Sequence, residues 1–136
     1  MSNKTATVSV NMSYSGPGGQ SVVVPAIVTL PTYSALCTGT IDIPALASKA
    51  TKYEVPFGSV GTGATCVFVK NNAGQDVSLL YNSAATSTYD VPDGGVAMHA
   101  SADLPAAVPL TKLEVMLPAA QVAAGSVDYW VFGDPV

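Results

Sequence analysis

Arginine is absent from this 136-residue sequence, and lysine supplies all five of its cations. The guanidinium is the side chain best suited to two-pronged recognition of phosphate and carboxylate. With a net charge of −4, the chain also lacks the basic footprint on which nucleic-acid binding depends. Charged residues make up only 10% of the sequence, against about 25% in an ordinary soluble domain. Two readings of that scarcity stay open. The surface is a neutral one of Ser, Thr, Asn and Gly, or it is covered by other subunits, since interface cores are poor in charge.

No apolar run reaches the roughly 18 residues of a membrane-spanning helix, so no membrane partner is expected. The N-terminus runs straight from Met1-Ser2-Asn3-Lys4-Thr5 into an alternating pattern. It has no apolar signal-peptide core, and the expectation is synthesis in the cytoplasm of the producing cell. Histidine occurs once, at His99, and cysteine twice, at Cys37 and Cys66. These are too few ligands, without close spacing, for a zinc site. No metal or cofactor is expected. The two cysteines permit one disulfide or two buried thiols, and a reducing compartment favours thiols.

A serine nucleophile needs a base and an oxyanion hole. The Gly-x-Ser-x-Gly pattern is missing, and Gly58-Ser59-Val60-Gly61 is a partial match inside a Gly-rich loop. A lone histidine in a strand-like stretch reads as structural or exposed. Asp76, Asp90, Asp93, Asp103 and Asp134 stand beside turns, where carboxylates bond to nearby backbone N–H groups. Neither a glycosidase pair nor a calcium loop emerges. No catalytic residue is expected, and the chain reads as not an enzyme.

What is present is β patterning. Ala6, Val8, Val10, Met12 and Tyr14 alternate with Thr7, Ser9, Asn11 and Ser13, the period of a half-buried strand. After a Gly/Pro turn, Val22 to Leu30 is β-branched and apolar, with Pro25 signalling a bulge or an edge. Further strands are predicted at Thr38–Ile43, Tyr53–Phe57, Ser87–Val91, Val96–Ala100, Leu110–Leu117 and Val127–Phe132. Cys66–Lys70 and Val77–Tyr81 read as a hairpin closed by Asn71-Asn72-Ala73-Gly74-Gln75-Asp76. Ala45–Ala50 suggests one helical turn, and Ala119–Ala124 a short helix ended by Gly125. The sum is about eight to ten short antiparallel strands in one all-β domain over residues 1–136, a sandwich or barrel, with residues 1–4 as a flexible start.

The last strand concentrates aromatic residues. Tyr129 and Val131 share one face, and Trp130 and Phe132 the other. Tyr129, Trp130 and Phe132 are the candidate interface residues, one face being core and the other covering a subunit surface, where Trp and Tyr are enriched. A surface Trp on a sandwich also suits a sugar.

Two stretches resemble the small decoration, or cement, proteins of tailed-bacteriophage capsids. One is Val67 to Asp76 through Tyr81-Asn82, then Val91-Pro92-Asp93-Gly94-Gly95-Val96. The other is Leu113 to Pro118, Gln121 to Gly125, then Asp128-Tyr129-Trp130-Val131-Phe132-Gly133-Asp134-Pro135. Together they cover roughly the C-terminal half, and their specificity is modest. The resemblance implies a jelly-roll-like sandwich on the outside of the virion shell, a trimer or dimer that bridges neighbouring major capsid proteins and stabilises the assembled shell. It implies no active-site residues. A receptor- or carbohydrate-binding module of a phage tail or fibre is the alternative.

Overall fold

Alternation of side-chain type along the chain fixes most of the strands. The computed structural model describes residues 7–15, 21–29, 34–61, 64–86, 89–100 and 110–134, with backbone alone for 7–15, 21–29 and 100. Among the described residues lie β1 (Thr7–Ser15), β2 (Ser21–Thr29), β3 (Ala35–Ile43), β4 (Lys52–Glu54) and β5 (Ala64–Asn72). There follow β6 (Val77–Tyr81), β7 (Tyr89–Val91), β8 (Val96–Ala100), β9 (Leu113–Met116) and β10 (Gly125–Gly133). A 3-10 turn, Gly58–Val60, follows β4. The start at 1–4, Ala6, the Gly/Pro turn before Val22, Leu30, Ser87 and Asp103 lie outside the described residues.

Eight of these strands form a sandwich. The front sheet has the order β3-β10-β5-β8 and the back sheet β4-β9-β6-β7, and every pairing is antiparallel. Sequence neighbours hold matching places in the two orders: β3 with β4, β10 with β9, β5 with β6, β8 with β7. That is the strand order of a jelly roll. β1 and β2 form a separate two-stranded sheet.

The core is aliphatic. Val69, Val127 and Val131 of the front sheet and Leu79, Leu113 and Val115 of the back sheet are each at most 1% exposed and belong to one cluster. Fully burying such a side chain is worth roughly 1.5–3 kcal/mol. Alternation delivers them there: in β9, Leu113 and Val115 are buried while Glu114 and Met116 are half-buried.

Three sequence readings fail, each for a non-local reason. Cys66–Lys70 and Val77–Tyr81 are not a hairpin, because β5 lies in the front sheet and β6 in the back one. Their link is a corner between sheets, and buried Asn71 builds it. Asn71 Nδ2 donates to the Gln75 carbonyl at 2.8 Å and the Val91 carbonyl at 3.0 Å, and its Oδ1 accepts from the Ala73 N–H at 2.8 Å. Residues 45–50 are not helical. Leu46 and Ala50 sit at φ 66° and 65°, left-handed values that an α-helix of L-residues avoids. The Leu46 N–H donates to the Gln121 carbonyl and the Gln121 N–H to the Ala47 carbonyl. Residues 119–124 form an irregular loop for the same reason, their polar groups being used between loops. Gln121, 3% exposed, donates from Nε2 to the Ala73 and Ala123 carbonyls.

Gly39 is one of several glycines held by a close approach. A Cβ at Gly39 would lie 2.6 Å from the hydroxyl oxygen of Tyr129, a residue only 8% exposed. Gly39→Ala is expected to cost about 1–3 kcal/mol by overpacking, measured as a lower urea midpoint with an unchanged slope.

Candidate functional site

The register of the front sheet sorts its outward side chains into four rows. Leu36, Phe132 and Cys66 are aligned across β3, β10 and β5, and the backbone of Ala100 on β8 stands opposite Cys66. The next row is Thr38, Trp130, Phe68 and Met98. Then come Thr40, Asp128, Lys70 and Val96, and finally Asp42, Ser126 and Asn72. Residues opposite each other, or two apart along a strand, share a sheet face.

This face is apolar at one end. Leu36 is 44% exposed, Met98 37% and Val96 52%, while Phe68, Trp130 and Phe132 are half-buried. Phe68 and Trp130 meet edge to face, with ring centroids 5.3 Å apart and planes at 67°. Such packing is worth about 0.5–1.5 kcal/mol beyond area burial and fixes both rings. The other end is polar. Asp128 accepts from Thr40 Oγ1 at 2.7 Å and from Asn72 Nδ2 at 3.0 Å.

The outer face of the back sheet is different. Its rows carry Lys52, Ser78 and Asp90, and the like-charged pair Glu54 and Glu114. Lys112 Nζ stands 4.0 Å from Glu54 and 3.8 Å from Glu114, relieving their repulsion. Ser78 donates to Asp90 at 2.8 Å. The front face thus pairs an apolar end with a polar end that carries Asp42, Lys70 and Asp128, while the back face sets its charged groups around Met116 and the buried Leu80.

Of the residues singled out by sequence, Trp130 and Phe132 lie together on the front face. Tyr129 points the other way, into the core over Gly39. Sequence reasoning missed Leu36, Phe68, Val96 and Met98. A signal existed for one of them: Cys66-Val67-Phe68-Val69 is apolar on both faces, the mark of a strand covered on both sides.

Asp76 and Asp93 serve local structure. Asp93 accepts from the Gly74 N–H at 2.9 Å and Asp76 from the Asp93 N–H at 3.4 Å, which is turn chemistry. His99 shares the inward face with Val67, and its ring meets Tyr81 edge to face at 5.2 Å. His99 Nε2 is buried without a hydrogen-bond partner. Among the described residues no group of three or more His, Cys, Asp or Glu could hold a metal ion.

Both cysteines are free. Cys37 and Cys66 lie on the two strands flanking β10, level with Val131 and Phe132 respectively. They therefore occupy opposite faces, two strand spacings or about 10 Å apart, too far for a disulfide. Burial pushes the Cys66 thiol up from 9.0 to about 11. The unfolded chain therefore releases this proton first as pH rises. The contribution of this thiol to folding stability is fully present below about pH 9 and is lost as pH climbs towards 11, by on the order of 2–3 kcal/mol. Burial also raises the Tyr81 and Tyr129 hydroxyls, which adds to the loss at higher pH. Urea midpoints at pH 8 and pH ~10.5 measure the decline, and Cys66→Val is expected to flatten part of it.

No protein-family model matches the chain, and neither the curated proteins nor the solved structures provide a match.

Proposed function

We propose that this chain is a non-catalytic docking module, a decoration protein seated on the outside of an assembled bacteriophage shell through the outer face of its front sheet. The observation that carries the reading is the sidedness of the sandwich. Leu36, Phe68, Met98, Trp130 and Phe132 lie together at one end of the front outer face, with Asp42, Lys70 and Asp128 towards its other end, while no aromatic residue stands in the back outer rows of Lys52, Met116, Ser78 and Asp90 and of Glu54, Glu114 and Leu80. Aromatic residues and Met at the centre of a patch, with polar groups at its margin, are the composition of a protein interface. The resemblance of the C-terminal half to cement proteins supplies the partner: neighbouring major capsid proteins of the virion.

The mechanism is linkage. A ligand that binds only the assembled shell lowers the free energy of that state by RT ln(1 + [L]/Kd). No reacting group is needed, which accords with turn-bound carboxylates and a histidine packed on Tyr81. Many copies add their contributions over one particle. Purified chain is expected to bind undecorated shells and to saturate at a fixed copy number. Absence of binding overturns the proposal.

One observation favours a second reading. The hydrogen-bonded set Thr40, Asp128 and Asn72 begins one row from Trp130, and an aromatic platform beside polar groups suits a sugar. Glycan-array binding that disappears in Trp130→Ala selects that reading instead.

A further inference from the structure

The end of the sandwich where β5 turns towards β6 holds a cavity of about 370 Å³. One wall is the corner of Asn72, Ala73, Gly74 and Gln75, and the other is the loop of residues 119–124. Buried Gln121 ties the walls together. Its Nε2 donates to the Ala73 carbonyl on one wall and to the Ala123 carbonyl on the other, and its Oε1 accepts from Gln75 Nε2 at 2.6 Å. Gly125 lets the walls meet, since a Cβ there would lie 2.5 Å from the Ala73 carbonyl oxygen. The cavity is therefore formed before any ligand arrives, and a preformed site needs no ordering on binding.

Its lining is of two kinds. Ala73, Ala119, Ala120, Ala123 and Ala124 bring only methyl groups, which leave an apolar floor close to the backbone. Asn72 and Gln75 bring carboxamides. Their nitrogens are engaged, Asn72 Nδ2 with Asp128 at 3.0 Å and Gln75 Nε2 with Gln121. Their oxygens accept no bond from the described residues. An apolar surface with a few convergent polar groups, over roughly 300–1,000 Å³, is the make-up of a small-molecule site.

The lining also sets the chemistry of the ligand. Open carboxamide oxygens call for hydroxyl or N–H donors. Among the described residues no charged side chain lines the cavity. Asp128, bonded to Asn72, stands just beyond it and would repel an anion. A floor of methyl groups suits the C–H face of a sugar ring. We infer that this cavity binds an uncharged saccharide, with Asn72 and Gln75 accepting from its hydroxyl groups. This assignment, which rests on the sugar reading of Asn72 and Asp128, sets a ring in the cavity as well as on Trp130.

The test is titration of the isotope-labelled full chain with methyl glucoside, galactoside, mannoside and N-acetylglucosaminide, followed by backbone amide chemical shifts. At least one of these neutral glycosides is expected to shift the Gly74, Gln75 and Ala123 amides and to saturate by ~10 mM. Methyl glucuronide, the acidic counterpart, is expected to give no saturable shift. Ala120 is exposed and lines the cavity, so Ala120→Phe fills it. That variant is expected to weaken binding at least about thirtyfold with an unchanged urea midpoint. Asn72→Ala is expected to weaken it about tenfold, through the loss of a hydrogen bond to the sugar. Shifts confined to the surroundings of Trp130 and untouched by Ala120→Phe overturn the inference while leaving the sugar reading of Trp130 standing. No shift anywhere by ~10 mM overturns both. Methyl glucuronide binding as tightly as the best neutral glycoside, or cavity shifts that survive Ala120→Phe, also overturn it.

Discussion

Trp130→Ala is expected to weaken docking to undecorated shells by at least roughly thirtyfold, the equivalent of about 2 kcal/mol. The ring stands in the centre of the front sheet, between Thr38 on β3 and Phe68 on β5. Its edge-to-face contact with Phe68 presents it as a rigid anchor, and an anchor already ordered loses little freedom on binding. Phe68→Ala removes that support and is expected to weaken docking in the same direction by less. The fold should survive both, because both side chains lie outside the core cluster. The control is Lys52→Ala, on the outer face of the opposite sheet, which is expected to leave docking unchanged. Co-sedimentation with shells over a range of concentrations reads all three. Equal losses from Trp130→Ala and Lys52→Ala would contradict a one-sided module.

Asn71→Ala is expected to destabilise the fold by about 3–5 kcal/mol, a large share of the stability of a domain this size. Asn71 is completely buried. Its amide satisfies the Gln75 and Val91 carbonyls and the Ala73 N–H, and the bonds to Val91 and Ala73 are buried. Its backbone is engaged as well: its N–H donates to Gly95, and its carbonyl accepts from Gly94. One residue thus joins the corner between β5 and β6 to β7 and to the turn before β8. Asn71→Asp separates the roles. A carboxylate still accepts from Ala73 but offers nothing to the two carbonyls, so it is expected to be at least as damaging at neutral pH. Urea unfolding of the three proteins measures the differences. A loss below about 1 kcal/mol for Asn71→Ala would mean that the corner holds without it.

The all-β class and most strand positions were legible because period-two alternation is a local property of the chain. β10 is the clearest case: Val127, Tyr129 and Val131 alternate with Asp128, Trp130 and Phe132, and burial follows that alternation. Sheet membership was not legible. Asn71 to Asp76 has the residues of a hairpin turn, and the same residues serve a corner between sheets equally well. What decides is which strands β5 and β6 find far along the chain. The same limit explains the missing half of the proposed docking face. Leu36, Phe68 and Met98 come together with Trp130 and Phe132 only through the registers of β3, β5 and β8 against one another. The irregular path of residues 45–50 and 119–124 is likewise fixed by bonds between the two loops.

The most direct test of the central claim is the orientation of the chain on its particle, from a cryo-electron microscopy reconstruction of a decorated shell. The expected result has Phe68, Trp130 and Phe132 against the capsid protein, with Lys52, Glu54 and Lys112 facing solvent. A particle on which the charged back sheet lies against the shell and Trp130 faces solvent would contradict it.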